Sequence, residues 1–217
     1  MLSEETKRRL ERLYSAVLCD ALDHLGYRRQ GLGHQIRPLF PEARLVGTAR
    51  TLSSIPRTDF AEKPYLKELE ALDTIYQGDV IVFSTGGDLS AGVWGELLST
   101  AASAKGARGA VIDGLTRDAA RIREKRFPVF ASGISPYDSY GRSEVVAYDI
   151  PIECGGVKVH PGDVVFGDYD GVVIIPQAAL EAVLHTAELK ASRERIVDAE
   201  FQRGRSVAEV FTEHGVL

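Results

Sequence analysis

The sequence predicts an α/β protein built around a parallel sheet. The buried strand "VIVFS" (80–84) is followed by the glycine-rich loop "TGGDLSAGVWG", the helix "ELLSTAASAKG" and the strand "AVID" (110–113). The pattern repeats at once, with "GLTR" as a loop, "DAARIREKR" as a helix and "FPVFASG" as a third strand. Consecutive units of this kind place their strands side by side in parallel, joined by right-handed crossovers.

The segments before these units predict three helices and a strand. Ser3 is expected to cap a first, charged helix, and Ser15 to cap a second helix in "AVLCDALDHLG", which ends at Gly26. The β-branched residues of "ARLVGTARTLSS" indicate a strand over 44–53, and a further helix is expected to open at Pro64.

The C-terminal third predicts a hairpin and a long helix. "VHPGDVVFGDYDGVVIIP" reads as two antiparallel strands joined through the turn-rich "GDYDG", and a helix rich in Glu and Arg is expected over 177–202. With 217 residues, 44% of them hydrophobic, the chain is long enough for one sizeable core. We therefore predict a single domain over 1–217.

Composition excludes several classes of protein. The formal charge is -5 and the basic residues are spread among acids, so a nucleic-acid binder is not expected. The N-terminus has no apolar signal region and the longest apolar run, "GVVIIP", cannot span a bilayer, so we predict a cytoplasmic protein without a membrane partner. Two cysteines far apart and five histidines without ligand spacing leave only a hard metal held by oxygen atoms.

Two strand-to-helix loops are the candidate site. The carboxyl ends of neighbouring parallel strands share one edge of a sheet, so these loops are expected to meet. One delivers a helix start with the free amides of Leu97 and Leu98, which suit a carboxylate or phosphate, and Gly95 lets a ligand approach. The other delivers Arg117, whose guanidinium can bind two oxygens at once, and an acid beside it.

The acids of these loops can act on a metal, but each also has a simpler interpretation. Asp118 and Glu96 together could hold Mg²⁺ or Mn²⁺, with a small 2-oxo acid as the substrate. Alone, Asp118 is more simply a helix N-cap, Arg117 a solvated loop residue and Glu96 a first-turn acid. Asp88 and Asp113 are equally ambiguous turn acids.

A family resemblance rests on the segment "GELLSTAASAKGARGAVIDGLTRD". It resembles the 4-hydroxy-4-methyl-2-oxoglutarate aldolase family, relatives of the regulator of ribonuclease E activity A (RraA-like), in its acid-x20-Arg-Asp signature. "CDALDHLG", "LVGTART", "FPVFASGISP" and "HPGDVVFGDYDGVVIIP" extend the likeness over most of the chain. The resemblance implies a layered β/β/α fold of the swivelling-domain type with terminal helices.

The resemblance also implies a reaction and a role for each site residue. The family are class II, metal-dependent pyruvate aldolases that cleave 4-hydroxy-2-oxo acids and also decarboxylate oxaloacetate. By this likeness Asp118 ligates the divalent ion, Glu96 reaches it through a water, and Arg117 stabilises the pyruvate enolate. The Leu97 and Leu98 amides bind the substrate carboxylate. A Schiff-base mechanism is not expected, because the loops lack a lysine and Lys105 lies at the far end of its helix.

The relatives form homotrimers, often paired into hexamers, with active sites between subunits. A glutamate from the neighbouring subunit's C-terminal region completes the metal surroundings, and the resemblance places it at Glu194, with Glu200 as the alternative. By its sequence context alone, Glu194 is equally well explained as a solvent-facing helix acid. Contacts to the substituents at C4 of the substrate are expected from "SIPRTDF", from "GISPYDSYGR" and from the neighbouring subunit. The chain departs from the family pattern at Glu96, where well-studied members carry Asp, and at Arg121, where the signature often carries an acid.

A second function of a different class is a ring-shaped protein that binds and inhibits a ribonuclease. Relatives of that kind resemble this chain in fold but tend to lack the Asp of the Arg-Asp pair. The presence of Asp118 favours the enzyme.

Overall fold

The computed structural model describes residues 2–216, which form seven α-helices and eleven strands. The helices are α1 (Glu4–Leu10), α2 (Ser15–His24), α3 (Leu66–Asp73), α4 (Glu96–Ala104), α5 (Ala119–Glu124), α6 (Leu180–Gln202) and α7 (Val207–His214). The strands are β1 (Arg37–Pro38), β2 (Leu45–Pro56), β3 (Asp79–Ser84), β4 (Gly92–Trp94), β5 (Gly109–Thr116), β6 (Val129–Ile134), β7 (Ser143–Tyr148), β8 (Ile152–Cys154), β9 (Val157–Val159), β10 (Val164–Asp168) and β11 (Gly171–Ile175).

Nine strands form one mixed sheet in the order β1-β6-β5-β3-β2-β10-β11, with β4 added to β5 and β7 added to β2. The central strands β6, β5, β3 and β2 are parallel, as the repeated strand-helix units predict. The outer strands β1, β10 and β11 run antiparallel, and β10 and β11 form the predicted late hairpin. A separate hairpin pairs β8 with β9.

The central strands are buried on both faces, so two apolar layers cover the sheet. On one face Val80 and Val82 of β3 belong to a cluster with residues of the β8–β9 hairpin. On the other, Ile81 and Phe83 pack with α3, α4 and α5. Helices α1, α2 and α6 cover the same face of the sheet as α3, α4 and α5, but at β10 and β11. The layers are therefore hairpin, sheet and helices, which confirms the predicted layered α/β fold with terminal helices.

The predicted caps at the N-terminus are half correct. Ser3 caps α1 by accepting the Thr6 amide at 3.0 Å. Ser15 does not cap α2, because it is already the first helical residue, and its amide and hydroxyl donate to Asp168 at 2.8 and 2.7 Å. The cap thus comes from the end of β10, a contact that local sequence does not reveal.

Several boundaries differ from the sequence prediction. Helix α3 begins at Leu66 rather than Pro64, because Tyr65 before it takes a left-handed conformation with φ 65°. The helix predicted over 177–202 opens with a 3-10 turn, Gln177–Ala179. The short elements β1, β7, β8, β9 and α7 were not predicted.

The interpretation of "GLTR" as a loop is wrong. Strand β5 continues through Thr116, because β6 pairs with it on one side and β4 on the other. Strand β4 itself lies inside the segment predicted as a glycine-rich loop. Within residues 2–216, none of the helices has the length and apolar character needed to cross a membrane.

Candidate active site

The pairing of β4 with the end of β5 brings two helix starts side by side. The Thr116 hydroxyl and the Arg117 amide both donate to the Trp94 carbonyl at 2.8 Å. Trp94 is fully buried, and its indole donates to Ser99 of α4 at 2.8 Å. Helix α4 therefore starts directly beside the residues that precede α5.

A cavity of about 220 Å³ opens at this point. Its walls come from α3, β4, the start of α4, the end of β5 and the loop after β6, and are formed by Tyr65, Glu68, Leu69, Gly92, Val93, Trp94, Gly95, Leu97, Leu98, Arg117, Asp118, Asp138 and Ser139. Five of the six site residues predicted for the two loops lie here together. The sixth, Glu96, is not a wall residue, and its carboxylate lies 3.4 Å from the Lys125 ammonium.

The guanidinium of Arg117 is held between two carboxylates at the cavity wall. Its Nη1 lies 3.3 Å from Asp138 Oδ1 and its Nε lies 3.5 Å from Asp118 Oδ2. The side chain stays about one-third exposed, so it keeps donors available to a ligand. The loop after β6 is fixed in turn by a hydrogen bond from the Gly92 amide to the Tyr137 carbonyl.

Asp118 caps a helix, but not its own. The residue precedes α5 with a left-handed backbone (φ 57°), and its side chain makes no capping hydrogen bond to α5. Instead Oδ2 accepts the Glu96 amide at the start of α4, at 3.1 Å. The simple N-cap interpretation is therefore wrong for α5, because the crossing between the two loops takes the carboxylate to the neighbouring helix.

Gly95 is required by this crossing. A Cβ at residue 95 would lie 2.7 Å from Asp118 Oδ2 and 3.2 Å from Arg117 Cγ. Its φ of -148° is extended backbone that any residue adopts, so space and not conformation demands glycine. The sequence interpretation assigned that space to a ligand, whereas two side chains of the chain itself fill much of it.

The two other acids of the loops serve the scaffold. Asp88 accepts hydrogen bonds from the Ser90 amide and hydroxyl at 3.1 and 2.7 Å, as a turn residue does. Asp113 is buried and accepts from the Thr85 amide and hydroxyl, and so ties the end of β3 to β5.

The sequence interpretation missed Glu68, Tyr65 and Asp138 as individual site residues. Glu68 is only 5% exposed, and burial together with the nearby Asp138 charge raises the pKa of its carboxyl to about 7. Tyr65 donates its hydroxyl to Asp138 Oδ2 at 3.3 Å. A sequence signal for Glu68 existed, because it shares a helical face with the apolar positions 71 and 72 of α3, and the apolar spacing continues to residue 75 just beyond the helix. Asp138 lies within "GISPYDSYGR", the segment expected to contact the substrate.

Two residues of the cavity wall have left-handed backbones without being glycine. Tyr65 and Asp118 have φ of 65° and 57°, and only four non-glycine residues in the described chain have positive φ. Such conformations cost about 1–3 kcal/mol and cluster at functional sites. Their presence in the wall of one cavity supports this cavity as the functional site.

The remaining predicted site residues lie on α6 and are not among the residues that line the cavity. Glu194 accepts a hydrogen bond from the Tyr14 hydroxyl and lies 3.8 Å from Lys190. Glu200 contacts Arg203 and Arg205 at 3.0 and 2.9 Å, and the Arg205 hydrogen bond lowers the pKa of its carboxyl. Among residues 2–216, no cluster of three or more His, Cys, Asp or Glu side chains is arranged to hold a metal ion.

The layered α/β fold thus brings a cation, an acid and the start of a helix together around one small cavity. The sequence model of the RraA-like family, described as Aldolase/RraA, matches residues 15–174. The chain belongs to this family.

Individual relatives agree with that assignment. A protein from Halalkalibacterium halodurans with the provisional name 4-hydroxy-4-methyl-2-oxoglutarate aldolase is 34% identical, and the match covers 84% of both chains. Protein DlpA of Legionella pneumophila is 32% identical over 85% of this chain, which spans only 30% of that longer protein.

Solved structures include the Streptomyces coelicolor protein RraAS2, described as an unusual member of the RNase ES inhibitor RraA protein family. It superimposes with a TM-score of 0.78 at 32% identity, covering 94% of this chain and 98% of that one.

Proposed function

We propose that this protein is a divalent-metal-dependent pyruvate aldolase. It cleaves a 4-hydroxy-2-oxo acid, of the 4-hydroxy-4-methyl-2-oxoglutarate type, and releases pyruvate. The observation that carries the proposal is that Arg117, Asp118 and the start of α4 line one cavity. A 2-oxo acid presents a carboxylate next to a keto oxygen, and this wall offers amides for the first and a guanidinium for the second.

The residues present fit Mg²⁺ or Mn²⁺ bound largely by water and substrate. Asp118 uses Oδ2 for the Glu96 amide, and its Oδ1 accepts no hydrogen bond from the described residues. Mg²⁺ is commonly held by one or two carboxylates together with substrate oxygens and waters, so a full cage of protein ligands is not needed. Glu96 would contact the ion through a water molecule. Its ion pair with Lys125 is partly exposed and therefore weak, so it does not prevent this contact. When bound, the ion supplies Lewis-acid polarisation of the keto oxygen.

The chain's own residues orient the substrate and stabilise its developing charge. The Leu97 and Leu98 amides at the start of α4 have no carbonyl partner within the helix and bind the carboxylate. Arg117 stays cationic at any working pH and donates to the oxygen that becomes negative as the C3–C4 bond breaks. Asp138 holds the guanidinium in place for this role.

Oxaloacetate decarboxylation passes through the same pyruvate enolate, so the same wall serves both reactions. A Schiff-base route has no support, because lysine is absent from the cavity wall in the described part of the chain. Lys105 follows the last turn of α4, where it pairs with Asp73 at 3.2 Å.

The proposal includes a homotrimer, in which Glu194 of a neighbouring subunit reaches the metal through water. Glu200 is the alternative. Both side chains already have partners within their own chain, and the lowered pKa of the Glu200 carboxyl keeps it an anion.

The alternative function is a ring protein that binds a ribonuclease, which the description of the Streptomyces relative favours. Asp118 at the cavity wall favours the enzyme, because capping α4 uses only Oδ2 and leaves Oδ1 for a metal ion.

A coupled lactate dehydrogenase assay tests the proposal. Pyruvate release is measured from several 4-hydroxy-2-oxo acids and from oxaloacetate, after EDTA treatment and again after Mg²⁺ or Mn²⁺ is restored. We expect activity only with the metal. Full activity after stripping contradicts metal dependence, and a lack of turnover together with capture of a ribonuclease supports the alternative.

A further inference from the structure

The cavity contains an acid that the proposed reaction has not yet used. Glu68 projects from α3 into the wall shared by Tyr65 and Asp138, while Arg117 and Asp118 line the same cavity from the end of β5. The residue is almost fully buried, and the described residues offer no hydrogen bond that offsets the loss of water around its carboxyl. An unpaired carboxyl group in such a place costs stability, so a role in chemistry is the simplest reason for it.

A second, smaller cavity lies behind Glu68. It shares Glu68, Tyr65 and Ser139 with the main cavity and has a volume of about 20 Å³, enough for roughly one water molecule. The ionisable groups on this rear side are Arg57, Asp59, Tyr140 and Glu144. Arg57 pairs with both Asp59 and Glu144, so these charges are largely satisfied among themselves. Glu68 therefore separates a water-sized space from the substrate cavity.

We propose that Glu68 is the acid-base residue of the aldol cleavage, an inference that rests on the proposed function. Its carboxylate removes the proton from the C4 hydroxyl as the C3–C4 bond breaks, which releases a carbonyl product and leaves the pyruvate enolate. The resulting carboxylic acid then gives that proton to C3, so the enolate becomes pyruvate and the carboxylate is restored. One proton moves from oxygen to carbon, and the step needs no other reactant.

The electrostatic surroundings suit both halves of this cycle. The Glu68 carboxyl has a pKa raised to about 7, so its ionised and protonated forms are both accessible near neutral pH. Burial and the negative charge of Asp138 both favour the protonated form, and Asp138 is itself paired with Arg117 at 3.3 Å. The aldol step is therefore expected to need the ionised form and to gain rate as pH rises through this value.

The two substrates make different demands on this residue. Oxaloacetate loses CO₂ without giving up a hydroxyl proton, so its C–C cleavage needs no base. The aldol substrate cannot fragment until its C4 hydroxyl is deprotonated. A residue that acts as the base is required for one cleavage and dispensable for the other, whereas a residue that only shapes the cavity affects both alike.

The test compares Glu68→Gln with Glu70→Gln, an exposed acid of the same helix that pairs with Lys67 at 2.8 Å. Substrate consumption is followed for a 4-hydroxy-2-oxo acid and for oxaloacetate with the metal-loaded enzyme. We expect Glu68→Gln to slow aldol cleavage by about 10²–10⁴-fold and oxaloacetate loss by only a few-fold. The rising limb of its aldol pH profile should vanish, while Glu70→Gln should match the wild type in all three measurements.

A variant that keeps the carboxylate and a measurement of proton exchange distinguish a catalytic role of Glu68 from a structural one. Glu68→Asp should recover part of the aldol rate, and circular dichroism should give folded protein for each variant. In D₂O, Glu68→Gln should lose enzyme-catalysed exchange of the pyruvate methyl protons. Equal loss with both substrates, or an unchanged aldol pH profile, overturns the role of Glu68. A wild-type enzyme without turnover on any 2-oxo acid instead overturns the proposed function itself.

Discussion

Arg117 gives the most direct residue-level prediction. Replacing Arg117 with Ala should raise the barrier to oxaloacetate decarboxylation by about 2–4 kcal/mol, because the donor to the developing enolate oxygen is lost. Steady-state pyruvate release measures the change in kcat/KM. Arg121→Ala is the matched control, since Arg121 lies on α5, is largely exposed and lies 3.5 Å from Glu124. Unchanged decarboxylation in Arg117→Ala would remove the guanidinium from the mechanism.

Glu68 predicts a pH-dependent stability. Its folded-state pKa of about 7 exceeds the ordinary value of 4.5, so ionisation is costly only in the folded protein. The wild type should therefore lose on the order of 3 kcal/mol of unfolding free energy as pH rises from about 4.5 to above 7. Glu68→Gln should lack this loss, and urea unfolding at one fixed protein concentration near pH 5 and pH 8 measures it.

The control for that experiment is Glu70→Gln, which should keep the full decline because its own carboxyl is exposed. A wild type whose stability does not fall across this range would mean that Glu68 is hydrated or otherwise paired in solution.

The sequence signal was clear for Arg117 and Asp118, and much weaker for Glu68 and Asp138. The first pair follows a clear strand and precedes a clear helix, so topology alone predicts that it lies at a sheet edge. A glutamate within a helix is ordinarily assigned to solvent, and only its place on the stripe with Ala71 and Leu72 opposes that. Asp138 reaches the cavity through a loop whose path is set by its contacts with β4.

At the scale of elements, the two loops depend on one close approach. Gly95→Ala places a methyl group 2.7 Å from Asp118 Oδ2, so the carboxylate must leave the Glu96 amide. We expect about 1 kcal/mol of lost stability from the missing cap, and at least a tenfold loss of kcat/KM because Arg117 is displaced too. Thermal unfolding and pyruvate release provide the two measurements.

Gly31→Ala is the control for this substitution, since an added methyl there meets nothing nearer than Cys19 Sγ at 3.8 Å. If Gly95→Ala behaves like Gly31→Ala in both assays, the crossing of the loops tolerates more than its geometry suggests.

The elements could be predicted where local pattern and packing agree. Strands β3, β10 and β11 and helix α4 are apolar or helix-forming runs between turn signals. Strand β4 could not be predicted, because its three residues are too few to show a periodic pattern and form a strand only by pairing with the end of β5. The same pairing explains why "GLT" is strand and not loop.

At the scale of the whole molecule, the proposal makes each active site belong to two subunits. Arg117→Ala and Glu194→Gln should each be weakly active alone, yet a mixture refolded together should regain activity. Random assembly restores both groups at about a quarter of the sites. Pyruvate release after co-refolding measures the recovery.

The same mixture made with Glu200→Gln decides between the two glutamates. Separately refolded and then mixed samples control for simple addition of residual rates. Absence of recovery with either glutamate would mean that each subunit works alone. The sequence does not distinguish the two glutamates, and within one chain both side chains have partners. The choice between them therefore depends on this experiment.

The carboxylate of residue 118 links the beginnings of α4 and α5, and this has a consequence for how such proteins can change. Most substitutions that remove the acid also remove the α4 cap, so the proposed metal ligand and the local stability of α4 are lost together. Asparagine is the exception, because its amide oxygen can still accept the Glu96 hydrogen and it tolerates a left-handed backbone. A relative that loses the catalytic activity but keeps the fold could therefore carry asparagine at this position without losing the cap of α4.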